Sequence, residues 1–499
     1  MFIFIILIMA IIFSIFPFFS GKYSKEVASG LSGLLAILIL IYSIITFRSY
    51  SGGFVSKITP LAISTKMGLS FTTGVDGFTD ALLILSAIVM LVSILITKRE
   101  YGSSFYGLAM VVEAGLIGLL ISRDFLFFYI FWEVILIPIF FMIGRYGSGN
   151  KDSISLKFFV YTHIGSVFIL LSIFSLYSEY IIMNPNILPT FQISRLMDTV
   201  GSLPIFWKGF ILFGFLVGFL VKLPSFPIHS WLPDSYYSAP YPTTVILAGA
   251  LSMMGGYGLF GILLPEASFI NIYALYLLAA LGIISIVYFA LTAMFQRNIK
   301  KMMAFASASA MGFVTLAFAA SAFEAPGNIY SSRIIEVSGG MFQIIAHGLI
   351  MTLVFAALFY IRESTKTDDV YGLGGIYREA PKVSAFLLIG LLASLGLPGF
   401  AGFIGEFSIV VGVFQAISWY IFILIFGMII TASYHIWTAQ RSLYGPYNEK
   451  LGFIRDVKPS EFLVLIFLVL IIFILGVFPN LLYFNITTYA KFALYGVML

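Results

Sequence analysis

The sequence predicts an all-α polytopic membrane protein, with about fourteen transmembrane helices and two inverted five-helix repeats. Three observations carry this. Of its 499 residues 61% are hydrophobic and only 10% charged, with a mean hydropathy of +1.06, whereas soluble domains hold about a quarter charged residues. Apolar stretches long enough to cross a bilayer, roughly 20 residues each, recur along the whole chain. Two proline-broken segments, Lys222 to Pro240 and Leu395 to Phe407, each place an ionisable residue beside a break. An odd number of spans separates them, so the second would be inverted relative to the first, and paired interruptions point to an ion pathway.

In chain order, the spans centre near residues 10, 38, 88, 112, 134, 168, 216, 253, 282, 312, 348, 400, 427 and 472. The first, Met1 to Phe19, lacks the basic start and small-residue cleavage site of a signal peptide and reads as a retained span. One transmembrane domain covers residues 1–499: helices one to three in 1–100, the first repeat in 104–264, the second in 268–440 and the last helix in 459–483. Discontinuous helices are expected near 222–228 and 396–402, where proline and glycine interrupt the apolar run. Only Arg48 to Gly77 and Glu179 to Leu203 are long connections. The first, with alternating residues and Gly74-Val75-Asp76-Gly77, is expected to form a small hairpin.

Charge sets the orientation. The alternate loops that include Lys22, Lys98, Arg145, Lys300, Arg362 and Arg455 hold 18 of the 27 lysines and arginines, so the positive-inside rule puts both termini on the outer side. Lys57 falls in an outer loop. The net charge of +5 follows from these loops and calls for no nucleic acid. The absence of cysteine excludes disulfides and cysteine-held iron–sulfur clusters, and four histidines leave little material for haem. Any redox chemistry therefore belongs to other polypeptides.

Lys222 ends the charge-free run Gly209 to Val221 and is followed at once by Leu-Pro. A lysine at the centre of a membrane helix costs roughly 2.5 to 3.5 kcal/mol on insertion scales, which marks it as a functional candidate. Glu133, Glu113 and Glu406 also lie deep in apolar sequence. Burial disfavours the charged form of an acid or an amine, while pairing restores it, so Glu133 and Lys222 together could pass a proton. The competing reading is a static buried pair that fixes helix packing. Glu113 is open between relay and a hydrogen bond to a neighbouring helix. His347 suits a relay between lysine and carboxylate. His163 reads first as packing and second as a relay in the first half; His229 is placed at the mouth of the first break, and His435 is structural. None of the four has metal-ligand spacing, and no phosphate loop or nucleophile elbow occurs.

The segments DFLFFYIFWEVILIPIFFMIGRYG, VKLPSFPIHSWLPDSYYSAP, IKKMMAFASASAMGF, IIAHGL and LASLGLPGFAGFIGEF, running in order within about Gly74 to Phe414, resemble the antiporter-like membrane subunits of respiratory complex I. The best fit is the M-type subunit, the counterpart of mitochondrial subunit four. Glu406 stands where N-type subunits usually carry lysine, and the long lateral helix of an L-type subunit is absent from this sequence. The resemblance implies a fourteen-helix proton channel driven by redox chemistry elsewhere, in a complex I-type quinone oxidoreductase. Glu133 matches the fifth-helix glutamate, Lys222 the lysine of the broken seventh helix, His347 the relay histidine of the eleventh and Glu406 the exit-side glutamate of the twelfth. It further implies L-type and N-type partners, a redox arm and lipid, in a prokaryotic plasma membrane. This chain would hold no cofactor; iron–sulfur clusters, with flavin as a further candidate, are expected in partner subunits.

Two positions depart from the family pattern. Met253 stands where the eighth helix normally carries lysine, and Ala310 where the tenth carries histidine, so the centre of the chain lacks a titratable bridge. Either water and another group such as His163 carry the proton across, or coupling in this subunit is altered; passage through water is the expectation. Alternative functions are a subunit of a multisubunit sodium/proton antiporter, the membrane arm of a hydrogenase-type or formate-oxidising complex, a scaffold without an ion path, and a solute transporter. Neighbouring proteins separate the first two. A scaffold would tolerate neutral replacements of Glu133 and Lys222.

Overall fold

A computed structural model describes residues 2–19, 24–49, 61–64, 66–321, 329–416 and 420–495. Lys22 and Lys57, both used in the charge balance, lie outside them. Two helices, α1 (Phe2–Phe19) and α2 (Ser24–Ser49), precede a two-stranded antiparallel hairpin of β1 (Leu61–Ser64) and β2 (Leu69–Phe71). Then follow α3 (Gly77–Leu95), α4 (Gly102–Ile121), α5 (Phe125–Val134), α6 (Leu136–Tyr146), α7 (Lys151–Met183), α8 (Ile193–Val200) and α9 (Ile205–Lys222). Next come α10 (Trp231–Ser238), α11 (Tyr241–Ile246), α12 (Ser252–Tyr257), α13 (Ile272–Met294) and α14 (Ile299–Ser321). The chain continues through α15 (Ile329–Thr365), α16 (Pro381–Ser394), α17 (Ala401–Ala416), α18 (Tyr420–Ala439), α19 (Pro459–Val477) and α20 (Asn480–Tyr495).

Each of the fourteen expected spans has its helix. Twelve are long and apolar enough to cross a bilayer unaided among the described residues, and the shorter α1 and the α16–α17 pair supply the others. The fifth span is bent for a local reason: Pro138 has no N–H for the Val134 carbonyl four residues earlier, and its ring crowds that carbonyl, so α5 ends at Val134 and α6 starts at Leu136. Glu133 thereby sits at a helix break. The eighth span, Tyr241–Glu266, runs through α11 and α12 with π-helical turns at Leu247–Leu251 and Gly258–Leu263. The twelfth breaks at Leu395–Phe400, where Gly396 (φ +77°) and Gly399 (φ +99°) adopt left-handed conformations that other residues rarely take.

Helices α3, α4, α14, α15 and the eighth span form the interior, and α15 is buried without interruption from Glu336 to Ile361. Outer helices keep apolar stripes exposed, with Ile45 on α2, Phe422 on α18 and Leu463 on α19 facing outward. Such a surface matches hydrocarbon and would be anomalous in water.

Two expectations need correction. The hairpin exists, but it pairs Leu61 with Phe71; the Gly74–Gly77 segment instead starts α3, with Asp76 accepting from the backbone N–H groups of Phe78 and Thr79 in a capping box. The last helix, expected over 459–483, ends at Val477, and a further helix, α20, starts at Asn480; it packs on α3 and α15 and donates from Asn485 Nδ2 to the Phe47 carbonyl.

Candidate functional site

The first half of the site forms where two broken helices meet. Glu133 Oε2 lies 3.0 Å from His163 Nδ1 on α7, and its other oxygen has no partner. Lys222, the last residue of α9, is 1% exposed and its Nζ makes no hydrogen bond. It lies 5.8 Å from the Trp132 ring centre and 6.0 Å from that of Phe158, within reach of cation–π attraction. The carboxylate of Glu133 is the charged group that acts on it. No ion pair closes between them among the described residues: the pair expected from sequence is parted, and His163 holds the glutamate instead.

Side chains satisfy the polar groups freed by the break. Trp231 Nε1 donates to the Val221 carbonyl at 3.0 Å, and the Phe226 N–H donates to Ser285 Oγ at 3.0 Å. An unwound segment survives in a membrane only on such terms. His229 stands inside this break among Phe226, Tyr288, Phe289 and Phe305, with its Nδ1 unpartnered.

Met253 is buried in α12, which is wedged tightly against α9: a Cβ on Gly255 would meet the Phe219 carbonyl and the Leu223 N–H. The phenol of Tyr236, on α10, faces Ser252 on one side and Ser307 on the other without closing a bond of ordinary geometry to either. Ser307 Oγ in turn lies 2.8 Å from His347 Nε2. These hydroxyls form a line that ends on His347, and Lys222 Nζ is bonded to none of them.

In that half, Gln343 lies one turn before His347 on the same face of α15, and its Nε2 donates to Glu406 Oε1 at 3.3 Å. A Cβ at Gly396 would collide with the Glu406 carboxylate, so the second break leaves room for that group. Gln343 thus binds Glu406 one helical turn from His347, and no bond joins His347 to Glu406 among the described residues. Glu113 is buried on α4 with neither oxygen hydrogen-bonded, apart from this line. His435 Nδ1 lies 2.8 Å from the Thr431 carbonyl of its own helix. No group of His, Asp and Glu able to hold a metal ion occurs among the described residues.

Sequence reasoning passed over Tyr236, Ser307 and Gln343. Gln343 carried a signal, its four-residue spacing from His347. Tyr236 and Ser307 are joined only by the packing of α10 against α14.

Residues 122–431 match the family described as NADH:quinone oxidoreductase/Mrp antiporter, TM. The chain is 36% identical to the F(420)H(2) dehydrogenase subunit M of Methanosarcina mazei, over 95% of its length and 94% of that protein. It is 32% identical to the NADH-quinone oxidoreductase subunit M of Rickettsia prowazekii, over 92% and 90% of the two chains. In structure it resembles a chain of respiratory complex I from Thermus thermophilus with bound NADH, with a TM-score of 0.85, 25% identity and 99% of each chain covered.

Proposed function

This chain belongs to the NADH:quinone oxidoreductase/Mrp antiporter family, as an M-type, multi-pass subunit of a multisubunit membrane complex, and from that premise we propose that it moves protons across the membrane. The energy comes from redox chemistry in other subunits, where iron–sulfur clusters and flavin would sit. The chain itself carries no electrons. The observation that carries this reading is Lys222: a lysine buried between broken helices with no hydrogen bond, beside a carboxylate that is held elsewhere.

Proton transfer can be written on this chain's own groups. With His163 holding Glu133, Lys222 loses its nearest counter-charge, and its ammonium proton can leave toward the hydroxyl line. Tyr236 and Ser307 pass a proton by accepting one while donating another, which leaves each unchanged, and His347 receives it at Nε2. Gln343 then orients Glu406 to take it. When Glu133 swings back to Lys222, its negative charge favours the ammonium again, and the amine takes up a new proton from water that enters on the inner side. The two inverted repeats, residues 104–264 and 268–440, would each supply one half of this path. Both termini lie on the outer side of a prokaryotic plasma membrane in this reading, and L-type and N-type subunits flank the chain.

Met253 makes a further test. If the hydroxyl line already bridges the halves, Met253→Lys leaves pumping within about twofold of wild type, since an added base offers no missing step. A marked gain in protons moved per electron would mean that the gap limits transport. The reading as a whole is tested in liposomes holding the parent complex, with proton uptake and electron transfer followed together. Glu133→Gln and Lys222→Ala should both uncouple or stall it with assembly intact. Wild-type pumping by both would leave a static, packing role.

A further inference from the structure

Glu336 on α15 is fully buried, and neither carboxylate oxygen has a hydrogen-bond partner, although buried polar groups are nearly always bonded. It shares the helix face of Gln343 and His347, seven and eleven residues on. The antiparallel neighbour α17 gives up side chains along this face. A Cβ on Gly412 would collide with the Glu336 side chain, one on Gly405 with Gln343, and between them one on Gly339 of α15 with Ser408. Ser408 Oγ lies 3.3 Å from the Tyr483 hydroxyl of α20. One turn before Glu336, Arg333 donates from Nε to the Ser321 carbonyl and is the charged group that acts on Glu336. The α15–α17 seam therefore carries polar groups at successive levels, from Glu406 and Gln343 through Ser408 to Glu336 and Arg333. It leads to the end of α15 opposite the basic loop after Arg362.

We propose that Glu336 is the proton acceptor between Glu406 and the outer face, the last protein group before release. The idea rests on the proton-translocation reading above. The carboxyl of Glu406 gives up its proton and becomes a carboxylate. Seven residues of helix separate the levels of Gln343 and Glu336, about 10 Å, and the paired hydroxyls of Ser408 and Tyr483 stand at the level between them, where each can accept one proton while donating another. One oxygen of Glu336 accepts the proton, then yields it to bulk water beside Arg333, and the carboxylate is restored. One proton changes place and no other bond is altered.

The test uses the parent complex in liposomes, with proton uptake normalised to electron transfer in the same vesicles, so that partial assembly does not mimic a defect. Glu336→Gln keeps the shape and loses no hydrogen bond, and should lower proton uptake about tenfold. Glu336→Asp keeps the exchangeable carboxyl and should stay within about twofold of wild type. Wild-type pumping by Glu336→Gln, with Lys222→Ala inactive beside it, would make Glu336 a packing residue and leave the transport reading intact. Equal defects in Gln and Asp would also overturn the proposal, because shape would then matter and titration would not. Wild-type pumping by Lys222→Ala would remove the transport reading, and this inference with it.

Discussion

Lys222→Ala should abolish proton transport through this chain while the parent complex still assembles. Both halves of that expectation come from the environment of the side chain. The ammonium of Lys222 has no hydrogen bond to lose, and a lysine in mid-membrane costs roughly 2.5 to 3.5 kcal/mol to insert, so its removal relieves a burden on folding. The loss falls on transport, because Lys222 is the amine on which the Glu133 carboxylate acts where the two broken helices meet. A positioned acid or base typically contributes on the order of a hundredfold or more to a proton-transfer step, and a fall of that size in proton-coupled turnover is expected. Lys222→Arg separates two roles. Arginine keeps the positive charge but does not release its proton in proteins, so it should fail as alanine does. Recovery of pumping by Lys222→Arg would mean that a fixed charge is enough, and the amine would then not carry the proton.

The second large effect is on stability, at a site remote from the proton line. Arg123, in the short turn between α4 and α5, places Nη2 2.6 Å from Asp76 Oδ2 and Nη1 3.2 Å from the Tyr257 hydroxyl. Its backbone N–H donates to the Thr72 carbonyl at 2.8 Å, so one residue ties the hairpin, the start of α3 and the eighth span together. Asp76 is buried. Arg123→Ala would leave that carboxylate without its partner, and breaking a buried pair this way costs about 3–5 kcal/mol. Thermal unfolding of the complex, followed by release of this subunit, should begin well below the wild-type temperature. The double substitution Asp76→Asn with Arg123→Met should recover most of the loss, since no unpaired charge remains. An unchanged midpoint for Arg123→Ala would show that the pair holds nothing together.

Most of the architecture was legible along the chain because a bilayer constrains a sequence so tightly. Each crossing needs about 20 apolar residues, and each interruption needs proline or glycine. The fourteen span positions and the breaks after Lys222 and at Leu395–Phe400 follow from those two requirements alone, and the structure has a helix or a break at each. Where the constraint relaxes, reading the sequence fails. Asp76 looks like part of a turn until the Thr79 hydroxyl and its backbone N–H show it to be a helix cap, and α20 is too mixed in character to be recognised as a packed helix.

The same division runs through the site. Lys222, Glu133, His347 and Glu406 stand out in sequence because charge in hydrocarbon is costly, whatever surrounds it. Which of them touch was beyond the sequence, since contacts across helices depend on rotation and depth that one-dimensional spacing does not carry. Only packing set Glu133 against His163 and away from Lys222, placed Tyr236 between Ser252 and Ser307, and put Glu336 in a cleft cut by Gly412. The sequence by itself determined that this is a many-spanning membrane protein with charged groups at its breaks. The tertiary structure decided which neighbours those groups have, because uncharged Ser307 and Gln343 bond to His347 and Glu406, and such residues become distinctive only once neighbouring helices enclose them.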